Sequence, residues 1–125
     1  MGTHEKFFLI EDDVVDAKSI IDELTNAGHK LIRYAGNYQE AIGRIADAKE
    51  KGMTIAIVDG NLDYYGEDCA DGKEISQLIR EQAPGTTIIA YSRSSEARAN
   101  YGDIYVHKQA RKLAEAVTAI PRDQK

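Results

Sequence analysis

Phe7-Phe8-Leu9-Ile10-Glu11-Asp12-Asp13 is the stretch that decides the fold: four apolar residues run directly into three carboxylates. Four residues cannot span a bilayer, but they suit a strand buried on both faces. Leu31–Tyr34, Ile55–Val58, Thr87–Tyr91 and Ile104–Val106 repeat the short apolar run along the chain. Between the runs, apolar residues fall at helical spacing: Ala17, Ile20, Ile21 and Leu24; Tyr38, Ala41, Ile42 and Ile45; Ile75, Leu78 and Ile79; Ala110, Leu113, Ala114 and Val117. Each stripe can cover one face of a sheet. Gly28, Gly52 and Pro84-Gly85 stand where three of these helices should stop, and Asn37 and Ser95 where N-caps are useful. A fourth helix, weakly patterned, is expected over Ser95–Tyr101.

Strands alternating with helices imply a parallel sheet, because each crossover between parallel strands needs a connection of helical length. The expectation is an α/β, flavodoxin-like, doubly wound (βα)5 domain with a five-stranded parallel sheet in the order 2-1-3-4-5. A chain of 125 residues has room for one such domain, spanning 1–125, and can bury about two-thirds of its unfolded surface. No tandem repeat or low-complexity linker interrupts it. The net charge of −5 argues against direct nucleic-acid or anionic-membrane binding through overall charge. That charge is uneven: residues 1–79 carry 8 basic and 16 acidic side chains, residues 80–125 carry 8 basic and 5 acidic. The single cysteine, Cys69, has no internal disulfide partner, and the chain opens on no secretory leader, so a cytoplasmic setting is expected.

In doubly wound sheets, ligands gather outside the carboxyl ends of the strands. There the sequence places Glu11, Asp12 and Asp13 after strand one, Asp59 after strand three, Ser92 after strand four and Lys108 after strand five. Carboxylates about 5 Å apart repel by roughly 3 kcal/mol per pair at an effective dielectric near 20. Proton uptake or a cation must relieve that repulsion, and an all-oxygen set without His or Cys favours Mg²⁺, with Mn²⁺ as its substitute. The same carboxylates would repel a flavin or nucleotide phosphate, which needs a Gly- or Ser/Thr-rich turn at this position.

Phe8-Leu9-Ile10-Glu11-Asp12-Asp13, Ile57-Val58-Asp59-Gly60-Asn61-Leu62, Ala90-Tyr91-Ser92 and Tyr105-Val106-His107-Lys108 together resemble the receiver domain of two-component response regulators. The resemblance covers nearly the whole chain in the right order. It implies that Asp59 accepts a phosphoryl group from a histidine kinase or histidine phosphotransfer protein. It also implies that Glu11, Asp12, Asp59 and the backbone carbonyl of Asn61 serve Mg²⁺, and that Lys108 and Ser92 contact the phosphoryl group. Tyr105 would be the aromatic that switches. A protein of this kind is a phosphorylation-dependent signalling switch, with self-phosphotransfer and autodephosphorylation as its only chemistry. Its output would be contact with a downstream protein, or a homodimer, through the fourth helix, fifth strand and fifth helix, a face made basic by Arg93, Arg98, Arg111 and Lys112.

Two departures from the family pattern stand out. Gln109 follows Lys108 where relatives commonly carry Pro, often after a cis peptide bond. Asp63-Tyr64-Tyr65-Gly66-Glu67-Asp68-Cys69-Ala70-Asp71 is longer than the usual loop after the phosphoacceptor. The plainer reading of that insert is a solvated acidic loop, with Cys69 an ordinary thiol, and His4, His29 and His107 show no shared spacing. Two other functions stay open. One is a receiver-like scaffold that works without phosphorylation. The other is a small phosphatase resembling haloacid dehalogenases, against which stands Asn61 in place of that family's second Asp.

Overall fold

The computed structural model describes residues 4–62, 66–110 and 112–120. Along the chain run β1 (Lys6–Ile10), α1 (Val14–Asn26), β2 (Lys30–Ala35), α2 (Tyr38–Glu50), β3 (Ile55–Val58), α3 (Ala70–Gln82), β4 (Thr87–Ser92), β5 (Ile104–His107), a 3-10 turn (Lys108–Ala110) and α4 (Leu113–Thr118). The five strands form one parallel sheet in the order β2-β1-β3-β4-β5, as expected. No helix among the described residues is long and apolar enough to cross a membrane.

Strand alternation sends successive side chains to opposite faces. Phe8, Ile10, Ala56, Val58, Ile88 and Ala90 pack with Ala41, Ile45, Ile75 and Ile79 of α2 and α3. Phe7, Leu9, Ile55, Ile57, Ile89, Tyr91 and Val106 pack with Ile20 and Leu24 of α1 and Leu113 and Val117 of α4. The runs of the three central strands, β1, β3 and β4, are thus buried on both sides, which requires them to be continuously apolar, while the edge strands β2 and β5 are only partly buried. Gly28 and Gly52 have positive φ just past the ends of α1 and α2, where that conformation ends a helix without a Cβ penalty. Asn37 caps α2, accepting from the Glu40 N–H.

The crossover from β4 to β5 departs from expectation. The helix read over Ser95–Tyr101 does not form; the Ser95 carbonyl accepts from the Arg98 and Ala99 N–H groups, and the segment continues as turns. Among the described residues there are therefore four α-helices, with α4 the last rather than a fifth. Within that segment only Ala99 and Tyr101 are buried, too few for an amphipathic stripe to repay the ordering of a helix. Tyr101 fills the space instead: its hydroxyl donates to the Val58 carbonyl at 2.7 Å, and its ring lies where a Cβ on Gly72 would come within 2.8 Å. Gly102 passes so close to β4 that a Cβ would meet the Ala90 nitrogen at 2.7 Å. Here the chain needs glycine for space rather than for φ.

Candidate functional site

Parallel register carries the ends of β1, β3, β4 and β5 to one edge. Ile10 pairs with Val58, Val58 with Ala90, and Ser92 with His107. The residues that follow, Glu11, Asp59, Arg93 and Lys108, therefore leave the sheet as neighbours. Glu11, Asp12 and Asp59 each turn a carboxylate oxygen inward, and these oxygens lie within 4.8 Å of one another. They wall a cavity of about 400 Å³ together with Asp13, Asn61, Arg93 and Lys108.

Glu11 and Asp59 are buried, at 1% and 6% exposure, whereas Asp12 is exposed. Lys108, itself 8% exposed, brings its Nζ to 2.8 Å from Glu11 Oε1 and 3.2 Å from Asp59 Oδ2. Burial and the nearby Asp59 charge push the Glu11 carboxyl up to about 8, against the downward pull of Lys108. Burial also raises Asp59, opposed by Lys108 and by the Asn61 N–H that reaches its Oδ1 at 3.2 Å. Burial pulls Lys108 down, but Asp59 and Glu11 outweigh it and its ammonium is held more firmly than usual. One ammonium does not neutralise two buried carboxylates, so the pair retains a proton or admits a further cation. The donor set is all oxygen, with Asp12 open to water, which fits a hard divalent ion that keeps part of its hydration.

Asp13 borders the cavity but spends its side chain on the helix, accepting from the Asp16 N–H at 3.0 Å and capping α1. Capping-type preference was legible in the sequence, since Asp immediately precedes the helical stripe. Ser92 is fully buried and its Oγ accepts from the Ser94 N–H at 3.0 Å. Tyr105 is half-buried and its hydroxyl donates to the Ser94 carbonyl at 2.6 Å, tying the aromatic to the loop after β4. Among the described residues no peptide bond is cis; Lys108-Gln109-Ala110 makes a 3-10 turn.

Arg93 and Arg98, expected on a partner face, both reach toward acidic groups beside the site. Arg93 lines the acidic cavity and sits 3.5 Å from Asp16, while Arg98 lies 3.4 Å from Asp68. Lys112 is exposed, and Arg111 lies outside the described residues, as do Asp63–Tyr65 of the insert. The rest of the insert folds onto the site. Asp68 Oδ1 accepts from Asn61 Nδ2 at 3.0 Å and from the Ser94 hydroxyl at 2.7 Å, and these bonds hold its carboxyl down at about 2. Asn61 Oδ1 accepts from the Cys69 N–H at 2.8 Å, at the left-handed residue that precedes α3. Cys69 is buried and burial raises its thiol, in keeping with an unreactive sulfur. His107 acts through backbone: its Nδ1 accepts from the Gln109 N–H at 3.1 Å, leaving Nε2 to donate to the Arg93 carbonyl at 3.0 Å.

No family model and no curated protein matches the sequence. Solved structures do match. A chain of the CheX-CheY complex from Borrelia burgdorferi, crystallised with BeF3 and Mg²⁺, superposes with a TM-score of 0.74 at 16% identity, over 94% of this chain and 90% of that one. The response regulator domain of Thermotoga maritima CheB gives 0.70 at 12% identity, over 96% and 100%. A response regulator from Burkholderia pseudomallei with a phosphorylated aspartic acid and a calcium ion gives 0.72 at 18% identity, over 93% and 66%. The fold is that of response-regulator receiver domains.

Proposed function

We propose that this chain is a phosphoacceptor receiver whose Asp59 takes a phosphoryl group and thereby alters a protein-contact surface. The observation that carries the reading is the convergence of the Glu11, Asp12 and Asp59 oxygens within 4.8 Å, with the Lys108 ammonium 3.2 Å from Asp59, on a receiver fold. Glu11, Asp12, Asp59 and the Asn61 carbonyl would hold Mg²⁺, which when bound supplies positive charge to the transferring phosphoryl oxygens. An Asp59 oxygen forms the new O–P bond as the P–N bond of a donor phosphohistidine breaks, the electron pair remaining on the imidazole nitrogen. Lys108 is released from one carboxylate as the charge redistributes and contacts the phosphoryl group from the β5 side. The Ser92 hydroxyl turns to donate to it. Movement of that loop reaches Tyr105 through the Ser94 carbonyl, a local charge change read out by a two-state element.

The donor would be a histidine kinase or phosphotransfer protein, and the output contact with a further protein, or a second copy, along the crossover, β5 and α4. Phosphoryl acceptance and return to water would be the only chemistry. A phosphatase would need an acid where Asn61 stands, and that side chain is already spent on Cys69 and Asp68.

The test is intact mass after incubation with acetyl phosphate and Mg²⁺. One added phosphoryl group, absent from Asp59→Asn and absent in EDTA, is expected. A protein that binds Mg²⁺ and partner proteins yet never gains the group from acetyl phosphate or any phosphohistidine donor would instead be a scaffold.

A further inference from the structure

Among the described residues that wall the acidic cavity, four are acidic, Glu11, Asp12, Asp13 and Asp59, and two are basic, Lys108 and Arg93. The two cations differ in how firmly they are held. Lys108 is buried against Glu11 and Asp59. Arg93 is 62% exposed at its side chain and, among the described residues, keeps a single ion pair, 3.5 Å from Asp16 Oδ2. That oxygen is buried, has no aligned hydrogen bond, and also stands 3.8 Å from Lys108 Nζ.

The backbone of Arg93 is better fixed than its side chain. It follows Ser92, the last β4 residue, whose register partner is His107, so Arg93 and Lys108 emerge side by side. The His107 ring holds the Arg93 carbonyl at 3.0 Å. The side chain stands between two hollows, since Asp16, Arg93 and Lys108 also line a neighbouring polar cavity of about 340 Å³. A guanidinium on a fixed root with room on both sides can exchange partners without moving the sheet.

We propose that Arg93 is a phosphoryl-binding residue held in reserve by Asp16. This rests on the reading of Asp59 as phosphoacceptor. A phosphoryl group on Asp59 adds negative charge and acceptor oxygens to a cavity whose other cation is already engaged. An exposed single-contact ion pair is weak, whereas a guanidinium meeting phosphoryl oxygens makes short, charge-assisted and often paired hydrogen bonds. Arg93 therefore leaves Asp16 and closes over the phosphoryl oxygens from the end of β4, beside Lys108 at the end of β5.

The probe is beryllofluoride, a phosphoryl mimic, added with Mg²⁺ and followed by fluorine NMR, with Mg²⁺ affinity measured separately. Arg93→Gln is expected to weaken beryllofluoride about tenfold and to leave Mg²⁺ affinity unchanged or tighter, because a positive charge has been removed. Arg93→Lys should recover part of the loss, and Asp16→Asn should tighten beryllofluoride by releasing the arm. Wild-type beryllofluoride affinity in Arg93→Gln overturns the proposal, as does a parallel loss of Mg²⁺ and beryllofluoride, which would mark a merely structural role. If the wild-type protein binds Mg²⁺ but no beryllofluoride, the phosphoacceptor reading itself falls, and the role of Arg93 with it.

Discussion

Asp59 is buried at 6% exposure with a carboxyl that burial raises, so its ionised form at neutral pH costs the fold free energy that the site's chemistry requires. Asp59→Asn keeps the side-chain shape and removes the charge, and Lys108 keeps Glu11 at 2.8 Å. The metal-free variant should be more stable than wild type by about 1 kcal/mol, read as a higher urea midpoint with unchanged slope. A lower midpoint would mean that the Lys108–Asp59 contact contributes more than burial costs. At this scale the sequence was informative where a residue's role follows from its strand end: Glu11, Asp12, Asp59 and Lys108 are all found at the edge where the apolar runs stop. It was uninformative where a role depends on reach. Nothing in the spacing of Asp16 and Arg93, or of Asp68 and Ser94, shows that they pair, because each pair closes only once separate crossovers have been packed. Asp13 was the exception that could have been read, as a cap.

The five strands and all four helices were legible from apolar pattern: burial on both sides demands unbroken apolar runs in the central strands, and one-sided burial demands stripes in the helices. The crossover between β4 and β5 satisfies neither demand, and a regular alternation of strand and helix wrongly suggested a helix there. What holds it is a set of individual contacts. Tyr101 bonds the Val58 carbonyl, Arg80 donates to the Tyr101 carbonyl at 2.7 Å, and Asp103 accepts from the Ile88 N–H at 2.8 Å. Tyr101→Phe leaves the ring in place and removes one donor from the Val58 carbonyl at the end of β3, next to Asp59. The expected loss is about 1 kcal/mol in chemical denaturation, with faster amide exchange concentrated in residues 93–103. Were the loss below a few tenths, water would be replacing the hydroxyl and the crossover would be held chiefly by the ring against Gly72.

For the molecule as a whole, the proposed metal site would link stability and metal affinity through the same buried pair. Glu11 has its carboxyl raised from 4.5 to about 8, so the folded protein holds a proton that the unfolded chain releases above about 4.5. The stabilisation is complete below that value and is lost as pH rises through 8, at a slope approaching 1.4 kcal/mol per pH unit. His29 works in the opposite sense, since burial lowers it and its Nδ1 accepts from the Glu5 N–H at 2.9 Å. Its contribution is lost as pH falls below 6.5, so the window from 6.5 to 8 belongs to the Glu11–Asp59 pair. On the proposed function, Mg²⁺ would compete with the same proton and stabilise the fold in proportion to its occupancy. Melting temperature without metal should therefore fall from pH 6.5 to 8, while the rise produced by a fixed Mg²⁺ concentration should grow over the same interval. Glu11→Gln cannot exchange a proton there, so it should flatten the metal-free profile and weaken the dependence of Mg²⁺ affinity on pH. Persistence of the wild-type slope in that variant would assign the proton to another group, and would leave the acidic edge of the sheet without the coupling its geometry implies.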